Sequence, residues 1–273
     1  MTCRRVIYDF GANNGDDLPY YLKKADLVVA VEANPVLCAS MRSRFAKAVA
    51  SARLVVENLA VTASDTAAPT CDFYLHRHHD VLGQFFDPGP DRRGDFDRIS
   101  VPCRSIVRCI EQHGEPWYVK IDVQGYETAL LESLLQHGIR PPFISVEVQG
   151  LEVVSLLAQA GCYDAFKVVD GATVSERYGD CRIVVGDRSE RHSFPVHAAG
   201  PFGDDVEGPW MTADACRAVL ARDGLHWKDV HATRRPGASD AAYPPAWLAT
   251  LRRGSRCLRG WARACLSWCC RHG

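Results

Sequence analysis

The segment Asp9-Phe10-Gly11-Ala12-Asn13-Asn14-Gly15-Asp16-Asp17 joins an apolar run to a helical pattern. A glycine-rich turn between a first strand and a first helix lets a ligand approach backbone amides directly. The spacing is D-x-G-x-x-x-G, and Asn13 and Asp16 stand where a dinucleotide fingerprint carries its second and third glycines. No Lys-Ser/Thr follows the glycines, which excludes a P-loop. Asp16 and Asp17 place negative charge at the helix start, where a pyrophosphate would be repelled. Such an acidic mouth suits a ligand that is cationic near its reactive end; S-adenosylmethionine carries a sulfonium and an ammonium there and no phosphate. Compensation of the helix dipole is the plainer alternative for these acids. Glu32 lies seventeen residues after Gly15 and closes the next apolar run, where a carboxylate can accept hydrogen bonds from a ribose diol. Asn58 closes a third run and is expected to meet the adenine edge. The cofactor-binding candidates are therefore Asp9, Gly11, Asn13, Gly15, Glu32 and Asn58.

A second set of residues suits proton transfer. Asp122 ends the run Trp117–Val123 beside the crevice where ligands of parallel sheets bind, and is the first candidate for a base; capping of the next helix is the alternative. Lys120, two residues earlier on the same strand face, can pair with it. Glu127 and Glu147 also fall near strand ends, and with Asp122 they offer oxygen ligands that suit Mg²⁺. The metal is the lesser reading, and none is assigned. His76, His78 and His79 with Asp80 resemble a transition-metal set, but no complementary ligand spacing exists elsewhere, which favours solvated loop histidines.

These residues need a scaffold that brings strand ends together. Short Val-rich runs at 6–10, 27–31, 54–61, 117–123, 143–148, 165–169 and 183–185 read as buried strands. Between them, 17–24, 35–48, 106–113, 126–137 and 152–160 repeat apolar residues at three- and four-residue steps, as in Leu130, Leu131, Leu134 and Leu135. Asn34 is the expected cap and Pro35 the first residue of the second helix. The alternation predicts an α/β fold, doubly wound, with a mostly parallel sheet and helices on both faces. Residues 76–102 are polar, with Pro88-Gly89-Pro90 and a charge run, and read as a long surface insertion beside the working edge.

The pieces Asp9–Gly15, Val31-Glu32-Ala33-Asn34-Pro35, Glu57-Asn58-Leu59-Ala60-Val61 and above all Val119-Lys120-Ile121-Asp122-Val123-Gln124-Gly125-Tyr126-Glu127 resemble the FkbM-type S-adenosylmethionine-dependent methyltransferases. Ile144-Ser145-Val146-Glu147 is similar to the strand that follows. The resemblance spans roughly residues 5–170, and Gln124 departs from the glutamate usual in the family's K-I-D-V-E-G-x-E signature. It implies a Rossmann-like class I methyltransferase fold of seven strands, the last antiparallel. It also implies S-adenosylmethionine as methyl donor, and as acceptor a hydroxyl on a small molecule, sugar or polyketide-like metabolite. Gly200–Asp205 with Trp210, then Trp227-Lys228-Asp229-Val230-His231, is similar to an extension in a subset of such proteins. In an extended segment Trp227, Asp229 and His231 face one way, which makes His231 a third catalytic candidate; a surface strand with buried Trp227 is the alternative.

Composition narrows the rest. Of 273 residues, 47% are hydrophobic and 24% charged, which excludes a disordered or collagen-like chain. The 32 Lys+Arg nearly balance 33 Asp+Glu, so no field directs the molecule to nucleic acid, and none is expected as a partner. Residues 252–273 hold six arginines and no acid, leaving a body with 26 positive against 33 negative charges. With Leu258, Trp261, Cys265, Trp268 and Cys269 those arginines form a basic amphipathic helix pattern suited to weak contact with an anionic membrane surface; a frayed extension, or docking on the acidic body, is the rival. Twelve cysteines are scattered without a CxxC pair, and neither a secretory leader nor a membrane span is visible, which points to the cytoplasm. The expected domains are 1–190 as methyltransferase, 191–250 as an extension near the active site, and 251–273 as tail. A non-catalytic nucleotide-binding protein of the same fold and a methyltransferase acting on a macromolecule are the competing functions.

Overall fold

Five parallel strands come first in the sheet's logic: β1 (Val6–Phe10), β2 (Leu27–Glu32), β3 (Leu54–Asn58), and later Pro116–Ile121 and Phe143–Glu147. Their apolar residues are buried on both faces, as continuous Val/Ile runs require. The computed structural model describes residues 4–65, 68–78 and 83–235. A short β4 (Ala60–Thr62) follows β3. The chain then forms an antiparallel pair, β5 (Thr70–His76) and β6 (Phe96–Ser105), before β7 (Pro116–Ile121) and β8 (Phe143–Glu147). β9 (Ala165–Asp170) is followed by a hairpin of β10 (Cys181–Val185) and β11 (Arg188–His192), and β12 (Lys228–Thr233) comes last.

The main sheet has seven strands in the order β3-β2-β1-β7-β8-β12-β9. β12 runs antiparallel to both of its neighbours and separates β8 from β9. The boundary expected at residue 190 is therefore corrected. Residues beyond it supply an interior strand, and all described residues belong to one unit spanning 1–240. The run at 183–185 belongs to the β10–β11 hairpin, outside this sheet.

Helix α1 (Leu18–Lys24) and α2 (Pro35–Arg44) cover the face that carries Ile7, Val28, Ala30 and Tyr118, through Leu18, Tyr20, Tyr21 and Met41. The Asn34 side chain caps α2 by accepting from the Val36 amide, and Pro35 opens it. The helix expected to reach residue 48 breaks at Phe45 and resumes as α3 (Ala46–Ala50). On the opposite face, the Tyr8 hydroxyl donates to the Gly114 carbonyl at the end of α4 (Ile106–His113). There α5 (Glu127–Gln136) packs on β7 and α6 (Glu152–Gln159) on β12. After the turn α7 (Val174–Arg177), α8 (Ala213–Asp223) packs on β9 and α6.

The insertion is bounded more tightly than expected: its two ends, His76 and residues 96–102, lie in β5 and β6, which pair as a hairpin. β5 and β6 alternate, so that Cys71, Phe73, Ile99 and Val101 pack with Ala33 and Ala60, while Arg98 and Asp72 pair at the surface. Residues 79–82, with His79 and Asp80, and the basic tail from 252 lie outside the described residues. Among the described residues no helix is long and apolar enough to cross a membrane.

Candidate functional site

Parallel register lines up polar side chains across the sheet on the Ile7 face. Asp9 on β1 is level with Lys120 on β7, which is level with Ser145 on β8. Ser145 is opposite His231 on β12, which is opposite Lys167 on β9. All five are buried. Such a row within a sheet is costly unless its members are paired or meet a ligand. Lys120 Nζ lies 3.0 Å from Asp122 Oδ2 and 3.8 Å from Asp9 Oδ1. Burial disfavours its ammonium, but Asp122, Asp9, Asp229 and Asp17 outweigh that and hold its pKa well above the ordinary lysine value. Asp9 Oδ1 has no hydrogen-bond partner, and burial raises the Asp9 pKa.

The glycine turn sits over this row. Gly11 (φ +85) approaches the β7 end so closely that a Cβ would meet the Asp122 carbonyl oxygen, and its amide donates to the Val31 carbonyl. Gly15 (φ +76) is pressed against Leu18 and Met41, so its role is packing. Glu32, half-buried at the end of β2, holds the turn from the side. Its Oε2 accepts from the Asn13 amide at 2.9 Å and its Oε1 from the Asn34 amide at 2.8 Å. One carboxylate thus joins the glycine turn to the start of α2, with lone pairs left for a diol. Asn58 Nδ2 donates to the Glu32 and Ala33 carbonyls at 3.1 and 2.9 Å, so its amide hydrogens tie β3 to β2.

The two acids at the α1 start have other partners. Asp16 pairs with Arg44 at 2.9 Å. Asp17 is buried and accepts from the Ala199 and Gly200 amides at 2.9 and 3.2 Å; burial, chiefly, raises its pKa to about 7. The acidic mouth expected of this pair is corrected: Asp17 instead fastens α1 to residues 199–200. The rest of that motif continues the clasp. The Phe202 ring stacks on Tyr118 with centroids 3.9 Å apart. Asp205 accepts from Tyr20 Oη and from Lys24 Nζ, each at 2.7 Å.

Asp122 follows β7 and is half-buried, with Lys120 behind it. Glu127, buried at the start of α5, accepts from the Val123 and Gly125 amides and so shapes the turn, in which Gln124 adopts φ +58. Glu147 is buried at the end of β8 and accepts from Gln149. Asp122, Lys120 and Asp9 are brought together. His231 is not brought to them: it shares Lys120's level but stands two strands away, and its level lies two residues below that of Asp229 and Glu147. Both of its ring nitrogens lack partners, and burial, with Lys167 and Lys120 adding repulsion, lowers its pKa to about 3. It is a neutral imidazole.

Trp227 is corrected in both readings. At φ +43 it precedes β12, is partly exposed, and lays its indole against Gly171. Sequence reasoning missed Asp229 as a member of the site. Its signal was a carboxylate two places from His231 in a strand otherwise apolar at Val230 and Ala232.

A parallel sheet with one antiparallel strand set between its last two parallel ones, a glycine turn after β1 and an acid closing β2 are the features of a class I methyltransferase fold. The methyltransferase FkbM domain matches residues 9–160, more than half of the chain, and the protein belongs to that family. Among solved structures it is similar to methyltransferase FkbM from Methylobacillus flagellatus KT, with 13% identity and a TM-score of 0.40 over 61% of this chain and 40% of that one. It is also similar to precorrin-6y C5,15-methyltransferase from Geobacter metallireducens GS-15, with 12% identity and a TM-score of 0.36 over 86% and 82%. The chain thus spans less than half of the FkbM structure's length. No curated protein matches it by sequence.

Proposed function

We propose that this chain transfers a methyl group from S-adenosylmethionine to a hydroxyl oxygen of a small molecule, a sugar or polyketide-like metabolite. The observation that carries the reading is the half-buried Asp122 carboxylate at the end of β7, against the glycine turn, with Lys120 Nζ fixed 3.0 Å behind it. The cofactor fits the residues present: buried Asp9 Oδ1 has no hydrogen-bond partner, Gly11 admits no side chain, and Glu32 retains acceptor capacity beside the turn.

Asp9, Gly11, Asn13 and Glu32 would hold the cofactor, Glu32 through its ribose, with Gly15 packing the turn against Leu18 and Met41. Asn58 would contribute by fixing the β2 and β3 ends. When bound, S-adenosylmethionine supplies a methyl group made electrophilic by its sulfonium. The chain's task is alignment, exclusion of water and removal of the acceptor proton. Asp122 would take the proton that the acceptor hydroxyl gives up. Lys120 orients the carboxylate. His231 lies in the polar row beneath, where its neutral ring adds no charge.

The test is a screen of hydroxyl-bearing metabolites with methyl-labelled S-adenosylmethionine, comparing wild type with Asp122→Asn. Label in an oxygen-linked product, lost in the variant, is the expected result. Label found only in protein or nucleic acid would overturn the choice of acceptor.

A further inference from the structure

Three carboxylates meet beyond the ends of β7 and β8, and a fourth, on β12, stands opposite one of them. Oxygens of Asp122, Glu127 and Glu147 all lie within 4.8 Å of one another. Two oxygens on opposite sides of one ion, each at about 2.4 Å, are separated by about that distance. Asp229 supplies an independent observation. It stands directly opposite Glu147 in the antiparallel register, so its side chain rises from the same face. It is 6% exposed, and no hydrogen bond from a described residue reaches its carboxylate.

Charge makes the same point. The groups that bear most on Glu147 are three carboxylates, Asp122, Glu127 and Asp229, and one ammonium, Lys120. Lys120 is already engaged by Asp122 and lies close to Asp9. A cluster this acidic with one internal cation is relieved either by protons or by a further cation.

We propose that Asp122, Glu127, Glu147 and Asp229 form a binding site for one divalent, oxygen-preferring cation of the Mg²⁺, Mn²⁺ or Ca²⁺ kind. The donor set is all carboxylate, with no imidazole or thiolate, which selects hard ions over zinc or copper. Carboxylates from the β7 end, α5, β8 and β12 would then be drawn together by charge. Coordination positions on the open side would be left for an acceptor hydroxyl, which the ion acidifies. That last step rests on the methyl-transfer reading; cation binding does not.

The test uses full-length protein stripped with EDTA and titrated with MnCl₂ without cofactor or acceptor, following free Mn²⁺ by electron paramagnetic resonance. One Mn²⁺ taken up per chain and displaced by Mg²⁺ or Ca²⁺ is the expected result. Glu147→Gln and Asp229→Asn should each weaken uptake about tenfold or more with unchanged circular dichroism. Should either variant fail to fold, Asp122→Asn at the half-buried strand end is read the same way. No stoichiometric uptake, or uptake the folded variants leave unchanged, overturns the proposal. Binding of S-adenosylhomocysteine, measured separately in EDTA, keeps the two readings apart. Its absence sinks the methyl-transfer reading alone, and absent Mn²⁺ uptake beside intact S-adenosylhomocysteine binding sinks the cation site alone.

Discussion

The α-carbon of Gly11 faces the main chain of Asp122 so closely that a Cβ built on it would stand 1.7 Å from the Asp122 carbonyl oxygen. The glycine turn and the Asp122 end of β7 are therefore one packed unit. Gly11→Ala must both strain a left-handed backbone and push β7 away, and should destabilise the fold by roughly 2–4 kcal/mol. Gly114→Ala is the control, since Gly114 has φ +107 with nothing near its missing Cβ; it should cost only about 1 kcal/mol. Urea denaturation of both variants checks this. Equal losses would mean that the Asp122 contact contributes nothing.

Glu32 holds two backbone amides as well as facing the expected ribose. Glu32→Ala should weaken S-adenosylhomocysteine binding by about 1.5–3 kcal/mol, because charge-assisted hydrogen bonds are lost. Wild type should show no comparable affinity for NAD. Calorimetry in which NAD is preferred, or in which the variant binds as wild type does, contradicts the cofactor assignment.

Asp122→Asn keeps the shape of the strand end and removes its basicity. Turnover should fall by about 10²–10⁴, with cofactor affinity nearly intact. Equal loss of binding and of rate would mark Asp122 as structural.

Asp205 is buried where Tyr20, Lys24 and the Val184 amide converge on it. Asp205→Ala leaves the Lys24 ammonium, itself little exposed, without its partner. Loss of a buried partner costs about 3–5 kcal/mol, and thermal melts should show the change. A melting temperature within a degree of wild type would mean that the clasp is dispensable.

Two groups tilt stability with pH in opposite senses. Asp17 has a folded pKa near 7, above the ordinary 3.8. Its contribution is complete below the unfolded value and is lost as pH rises through 7. His231 has a folded pKa near 3, below the ordinary 6.5; its contribution is present above 6.5 and is lost as pH falls toward 3. In metal-free protein, Asp17→Asn should flatten the loss between pH 4 and 7, and His231→Gln the loss on the acid side. Denaturation midpoints across that range decide. Parallel pH curves for wild type and variant would refute the assignment for that residue.

Much of the sheet was legible because its parallel strands are buried on both faces and so appear as unbroken apolar runs such as Val28-Val29-Ala30-Val31. The turn and Glu32 were legible for a related reason: few residue types fit a left-handed bend beside an acid-closed strand. The hairpin arm was not, because Phe96-Asp97-Arg98-Ile99-Ser100-Val101 buries one face only and its charges obscured the alternation. Asp17 looked like part of a ligand mouth because its partners, the Ala199 and Gly200 amides, lie more than 180 residues away. His231 was readable as a residue in a strand. Its depth within the sheet was not, since that depends on pairing with both Ser145 and Lys167.

The late arrival of β12 has a consequence for the chain as it is made. β8 and β9 are complete by residue 170, yet the strand that belongs between them ends at Thr233. During synthesis both present open hydrogen-bonding edges, Val- and Ile-rich, that no earlier part of the chain fills. A nascent chain halted before residue 228 would hold a sheet missing an interior strand, with β9 unattached to it. Its solubility in that interval depends on whatever shields those edges until β12 leaves the ribosome.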